Sequence, residues 1–162
     1  MKTFSILFVC RANMCRSPTA HGVFQKKIRN EGLDPWVAVD SASTHKHYPT
    51  SPPDVRSQEH AARRGYDLSD LRSRPIQPVD FEQADLILAM DADNLRTLQD
   101  TCPPEHSVKL RRLTEFCLTH RSETVPDPYR GEHQDFEPGL DLVEDACEGL
   151  VRHVRGSQAG EL

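Results

Sequence analysis

The sequence predicts a single-domain, three-layer α/β sandwich around a four-stranded parallel sheet. Two observations carry this expectation. Apolar runs alternate with helical patterns in the order β-α-β-α-β-α-β-loop-α, which implies parallel strands joined by right-handed crossovers. The first run, FSILFVC (4–10), is apolar without a polar alternation, as suits a strand buried on both faces. The chain has 162 residues, a length one core accommodates, and no repeat, low-complexity segment or linker divides it.

Each element has its own signal. After the first strand comes a short loop, then Ser17-Pro18, a good N-cap followed by a proline suited to the first helical position. Ala20, Val23, Phe24 and Ile28 follow at helical spacing, which predicts a helix over 17–30. WVAVDS (36–41) reads as the second strand. Residues 44–54 read as loop, and Pro-Pro-Asp then leads into a polar helix ending near Gly65. ADLILAM (84–90) is the third strand, with Asp91 as N-cap of a short helix. SVKLRRL (107–113) is a weaker fourth strand, and RSETVPDPYRG (121–131) is rich in turn residues. Val143, Ala146, Cys147, Leu150 and Val154 form the apolar stripe of a last helix over 136–155. One domain over 1–156 is expected, with 157–162 as a flexible tail.

Composition narrows the function. Apolar residues make up 36% and charged residues 28%, the balance of a globular protein rather than a disordered one. The net charge of -5 argues against nucleic acid as partner but allows a local basic pocket. The first apolar run is too short to span a bilayer, and no small-residue cleavage site follows it, so neither membrane insertion nor secretion is expected. The chain reads as cytoplasmic, and its five cysteines as reduced thiols.

In such folds ligands sit beyond the carboxyl ends of the strands, at a topological switch point. The first strand is expected to lie centrally, which puts CRANMCRS (10–17) on that edge. The loop runs into a helix N-terminus, whose free N–H groups and dipole favour an anion such as phosphate or another oxyanion. Arg16 adds a planar fork for two phosphate oxygens. Asn13 tolerates the left-handed backbone of a tight cradle. A thiolate is favoured in the same field, so Cys10 is suited to act as nucleophile, with Ser17 placed to donate a hydrogen bond to it. C-x5-R alone is a weak pattern, and a free cysteine also packs well at the end of a buried strand. Position, after a strand and before a capped helix, raises the chemical reading above packing.

FVCRANMCRSPTA resembles the signature of the low-molecular-weight protein tyrosine phosphatases, hydrophobic-F-V-C-x-G-N-x-C-R-S-P. The resemblance covers most of the chain. DSAST (40–44), PPD (52–54), LSDLRSR (68–74), ILAMDADNL (87–95) and VPDPYRG (125–131) are similar to family segments in the same order. It implies the flavodoxin-like, phosphatase I type of sandwich and hydrolysis of phosphotyrosine in proteins through a cysteinyl-phosphate, without metal or cofactor. Cys10 would be nucleophile, Arg16 phosphate clamp and Asp127 the general acid that protonates the leaving phenolate. Arg11, Ala12, Asn13, Met14, Cys15 and Ser17 would bind the phosphoryl group. Tyr129 would form one wall of the entrance and His47 or Tyr48 the other. Asn13, Ser17, Ser41 and Asp91 match positions that hold the loop or interact with the acid loop. Cys15 is implied either as packing or as a reversible disulfide partner of Cys10.

The sequence departs from the pattern at Ala12, where glycine is common, at Asp70, often histidine, at Arg130, often a second tyrosine, and at Arg11 on the rim. Arsenate reduction on the same fold needs a redox cysteine pair for which Cys102 and Cys117 are not obviously placed. Phosphoarginine phosphatases tend to carry threonine where Met14 stands. A phosphotyrosine-binding module without catalysis is opposed by the intact Cys10, Arg16, Ser17 and Asp127. Cys102, His106, Cys117 and His120 fit no common zinc spacing, and the predicted fourth strand separates the pairs. A monomer or weak dimer is expected.

Overall fold

The computed structural model describes residues 3–46 and 50–160. Strand β1 (Phe4–Cys10) lies between β2 (Val37–Ser43) and β3 (Leu86–Ala89), and β4 (Leu110–Arg112) closes the far edge, giving the order β2-β1-β3-β4 with every pairing parallel. Helices α1 (Arg16–Asn30), α2 (Val55–Arg63), α3 (Pro78–Gln83), α4 (Ala92–Thr101) and α5 (Phe136–Gly160) complete the layers.

The central place of β1 explains its composition. Ile6, Phe8 and Cys10 point to one face, where they pack with Ala20, Val23, Phe24 and Ile28 of α1 and Val143, Ala146, Leu150 and Val154 of α5. Leu7 and Val9 point to the other, against Phe81 of α3 and Leu98 of α4. From Ile6 to Cys10 neither face of the strand meets water, and the one polar residue, Ser5, falls at its partly exposed start. Burying a side chain such as Phe8 or Phe24, both inaccessible, contributes roughly 1.5–3 kcal/mol.

The structure departs from the sequence reading at several boundaries. The N-cap of α1 is Cys15, and its side chain makes no capping bond; Ser17 lies one turn-position inside the helix and is turned toward Cys10. Trp36 belongs to a short 3-10 turn before β2, which runs on to Ser43. Strand β3 is four residues long, and β4 three, because 104–109 coil into a 3-10 turn after Pro103. The six-residue α3 gives too short a pattern to reveal a period, yet Pro78 at its start and the reciprocal bonds between Gln77 and Asp80 make it a well-capped turn. Helix α5 continues beyond 155 to Gly160, with Gln158 still buried. No helix among the described residues is long and apolar enough to cross a membrane.

Two devices lock α5 to the chain that precedes it. Gly149 faces the carbonyl of Phe116 so closely that a methyl group there would overlap it. One turn earlier, the Asp145 carboxylate collects the backbone N–H groups of Leu118, Thr119 and His120 at 2.9, 3.1 and 2.7 Å, together with the Thr119 hydroxyl at 3.0 Å. These donors, offsetting the cost of burial, hold Asp145 well below the ordinary carboxylate range.

Two outcomes are expected. Gly149→Ala lowers stability by roughly 1–3 kcal/mol in urea unfolding, because α5 must move off Phe116. A depressed carboxylate contributes stability above its unfolded value of 3.8 that is lost as pH falls toward the folded value. Unfolding curves recorded from pH 5 down to pH 2 therefore show a stability decline that is shallower in Asp145→Asn.

Candidate active site

The site forms where the strand order reverses. The crossover from β1 leads to β2 on one side, whereas β3 lies on the other, so the carboxyl ends of β1 and β3 open a crevice between them. The loop 11–15 fills the mouth of that crevice and passes directly into α1. Its backbone is fastened on two flanks. Thr44 and His45 donate to the carbonyls of Cys10 and Arg11 at 2.9 and 3.1 Å, and Asp54 donates to that of Met14 at 2.9 Å.

Asn13 sets the loop's curvature. It is the one non-glycine residue among the described residues with positive φ, at 57°. Its amide orientation follows from its partners, since the backbone N–H of Arg74 can only donate. Arg74 donates to Asn13 Oδ1 at 3.1 Å, and Asn13 Nδ2 then donates to Ser17 Oγ at 2.7 Å. With that oxygen accepting, the Ser17 hydroxyl has its own proton to offer Cys10 Sγ, 3.0 Å away. A directed chain of hydrogen bonds thus runs from the backbone near β2 to the Cys10 sulfur. Ser41, expected in this network, instead bonds His21 of α1 at 3.1 Å, and burial pushes that imidazole below its ordinary pKa.

Arg16 is the charged centre of the site, and only 5% of it is exposed. Its Nη1 donates to Asp91 Oδ2 at 2.7 Å and to the carbonyl of Val125 at 3.0 Å. Nη2 lies 3.6 Å from Asp127 Oδ2. The Nε–Nη2 edge therefore faces the cavity, a geometry that matches two oxygens of an oxyanion. Asp91 is committed twice, because its other oxygen caps α4 by accepting from Asn94 N at 2.7 Å. By contrast, α1 has neither a side-chain cap nor an acidic residue in its first turn, so its N–H groups and dipole are left to the crevice.

The loop that carries Asp127, the expected acid, comes from far along the chain. Val125 N donates to the carbonyl of Met90 at 2.8 Å, which hangs the loop from the end of β3. Asp127 then turns the chain, its Oδ1 accepting from Tyr129 N at 3.1 Å. Gly131 N closes the turn on the carbonyl of Pro128 at 2.9 Å. Asp127 and Tyr129 are both partly open to solvent.

Of the residues singled out from sequence, Cys10, Arg11, Ala12, Met14, Cys15, Arg16, Asp127 and Tyr129 line one cavity of about 580 Å³, with Arg130 beside them. Asn13 and Ser17 lie behind the loop, buried, and support it from there. His47 and Tyr48 fall outside the described residues. Asp70 is exposed. Burial pushes the Cys15 thiol up to about 12, so it stays protonated at neutral pH. Among the described residues no three His, Cys, Asp or Glu side chains gather as for a metal ion. Cys102 packs on the α3–α4 face of the sheet and Cys117 on the α1–α5 face. Sequence reasoning missed the part of Arg74, whose contact with Asn13 spans 61 residues and carries no local signal.

Replacing Asn13 separates its two duties. Asn13→Ala keeps a Cβ in left-handed backbone, about 1–2 kcal/mol worse than glycine there and without asparagine's tolerance of it, and also loses the two hydrogen bonds, each about 1 kcal/mol. Asn13→Gly loses only the bonds. Denaturant unfolding is expected to rank stability as wild type, then Gly, then Ala; an Ala variant at least as stable as Gly would contradict the strain.

Comparisons with known proteins show the family and the fold. Residues 5–159 match the family model of low molecular weight phosphotyrosine protein phosphatases. The chain is 37% identical over 161 residues to a low molecular weight protein-tyrosine-phosphatase of Streptomyces coelicolor, covering 98% of both chains. It is 37% identical over 150 residues to the human low molecular weight phosphotyrosine protein phosphatase, covering 92% of this chain and 94% of the human one. The crystal structure of a protein tyrosine phosphatase from Entamoeba histolytica superimposes with a TM-score of 0.93 at 37% identity, over 96% of this chain and 99% of that one.

Proposed function

The chain belongs to the low molecular weight phosphotyrosine protein phosphatases, and from that membership we propose that it hydrolyses phosphotyrosine in proteins through a phosphorylated Cys10. The observation that carries the mechanism is the convergence on one cavity of Cys10, the uncapped start of α1, the open edge of Arg16 and the Asp127 carboxyl.

The phosphate dianion sits in the loop 11–16, held by backbone N–H groups, the helix dipole and the Arg16 fork. The Cys10 thiolate attacks phosphorus; the S–P bond forms as the P–O bond to the tyrosine ring breaks. Asp127 gives its proton to the departing phenolate, a poor leaving group since its phenol has a pKa of about 10. Water then enters. Asp127, now a carboxylate, takes a proton from it as the oxygen attacks phosphorus and the S–P bond breaks. Inorganic phosphate leaves, with Asp127 protonated again and Cys10 again a thiolate. The hydrogen bond available from Ser17 serves that sulfur as the leaving group of the second step. Tyr129 offers a ring face to the tyrosine being processed.

Rapid quenching in denaturant during turnover of an aryl phosphate is expected to trap phosphate on Cys10, and Cys10→Ala neither turns over nor becomes labelled. Hydrolysis by Cys10→Ala at the wild-type rate would exclude the covalent route. Asp127→Asn slows hydrolysis of phosphotyrosine by roughly 10² to 10⁴, with a smaller loss on aryl phosphates whose phenols are strongly acidic.

A further inference from the structure

The acid loop reaches the cavity from residues more than a hundred positions away from the phosphate loop, and something must fix the distance between them. The N-terminal turn of α2 touches both. On one side, the backbone N–H of Asp54 donates to the carbonyl of Met14, inside the phosphate loop, at 2.9 Å. On the other, the Arg56 guanidinium donates to two carbonyls of the acid loop: Nη2 to Tyr129 at 2.7 Å and Nη1 to Gly131 at 3.0 Å. These carbonyls flank the turn that Asp127 begins.

The guanidinium is itself held along one edge and on one face. Asp54 Oδ2 accepts from Nη2 at 3.1 Å, and Asp54 Oδ1 accepts from Nε at 3.2 Å. That same Oδ1 caps the helix by accepting from Arg56 N at 2.8 Å. The Phe136 ring, at the start of α5, lies under the guanidinium with 4.7 Å between carbon and centroid. A further contact from α2 secures the stretch beyond the loop: buried His60 bonds His133 at 2.6 Å and Glu137 at 2.5 Å.

We propose that Arg56 is a positioning residue for the reaction: fixed by Asp54, it spaces the acid loop from the phosphate loop and so sets where the Asp127 proton is delivered. The inference rests on the assignment of Asp127 as general acid. Arg56 does not line the cavity and touches neither substrate nor the reacting atoms. Its effect is confined to geometry, and misplacement of a catalytic group by about 1 Å can cost 10²-fold in rate. Two donors to two carbonyls require a planar fork, so lysine, with one ammonium on a flexible stem, is a poor substitute.

The test is the ratio of kcat/KM on phenyl phosphate to kcat/KM on p-nitrophenyl phosphate, which covers the steps up to departure of the phenol, because the first product needs a proton far more than the second. Both rates are taken on one preparation, so a partly unfolded variant leaves the ratio intact. Arg56→Gln is expected to lower the ratio by about tenfold or more, with Arg56→Lys between it and wild type. In an Asp127→Asn background, Arg56→Gln lowers the ratio no further. If Asp127→Asn leaves the ratio unchanged, the acid assignment fails and the inference with it. If Asp127→Asn lowers the ratio and Arg56→Gln does not, or if Arg56→Gln lowers it equally in the Asp127→Asn background, Arg56 is overturned as a positioning residue while the mechanism stands.

Discussion

A guanidinium taken out of water organises the carboxyl edge of this sheet. Removing a cation from solvent costs several kcal/mol unless its donors are matched, and Arg16 is almost entirely enclosed. Asp91 and the Val125 carbonyl supply the match on one nitrogen. Each partner brings a different element with it: Asp91 is the cap of α4, and Val125 is the root of the acid loop. The first residue of α1, the end of β3 and the approach to α5 are thereby tied at one point. The remaining edge of the fork is turned to the cavity by the same bonds that satisfy the rest of it.

Around that point the two loops are built to different rules. The phosphate loop is short, buried and held through its backbone, and its one unusual dihedral falls on a residue whose side chain is also a bridge. The acid loop lies on the surface, and its backbone is held by groups that reach to it, from Met90, Arg16 and Arg56. Asp54 joins the two systems, for its amide belongs to the first and its carboxylate to the second. An exposed carboxyl on a loop gripped in this way can meet solvent without losing its aim.

What could be read from the sequence follows from how local each signal is. Strand β1, the loop and α1 are contiguous, and the apolar run, the asparagine and the Ser-Pro pair each speak for themselves. Even there, Ser17 reads both as N-cap and as donor to Cys10, and only the second stands: the cap position falls to Cys15 while the hydroxyl lies beside the sulfur. Asp127 between two prolines reads as turn chemistry, and only the resemblance of several segments in order gave it a chemical role. Arg56, Arg74 and Asp145 act across 25 to 75 residues, where neither spacing nor periodicity reports contact. Helix α3 was too brief to show a period, and Ser41 was expected to stand with the loop when it faces α1 instead.

The bond from Arg16 to Val125 spans 109 residues. The loop 11–15 is no more local, for Thr44, His45, Asp54 and Arg74 hold it. Closing a long loop costs entropy before its contacts are rewarded. The strand-loop-helix unit of the first thirty residues therefore has its final shape only once the chain has folded as far as Val125. A local motif in the sequence is, in the folded protein, a product of the whole sheet edge.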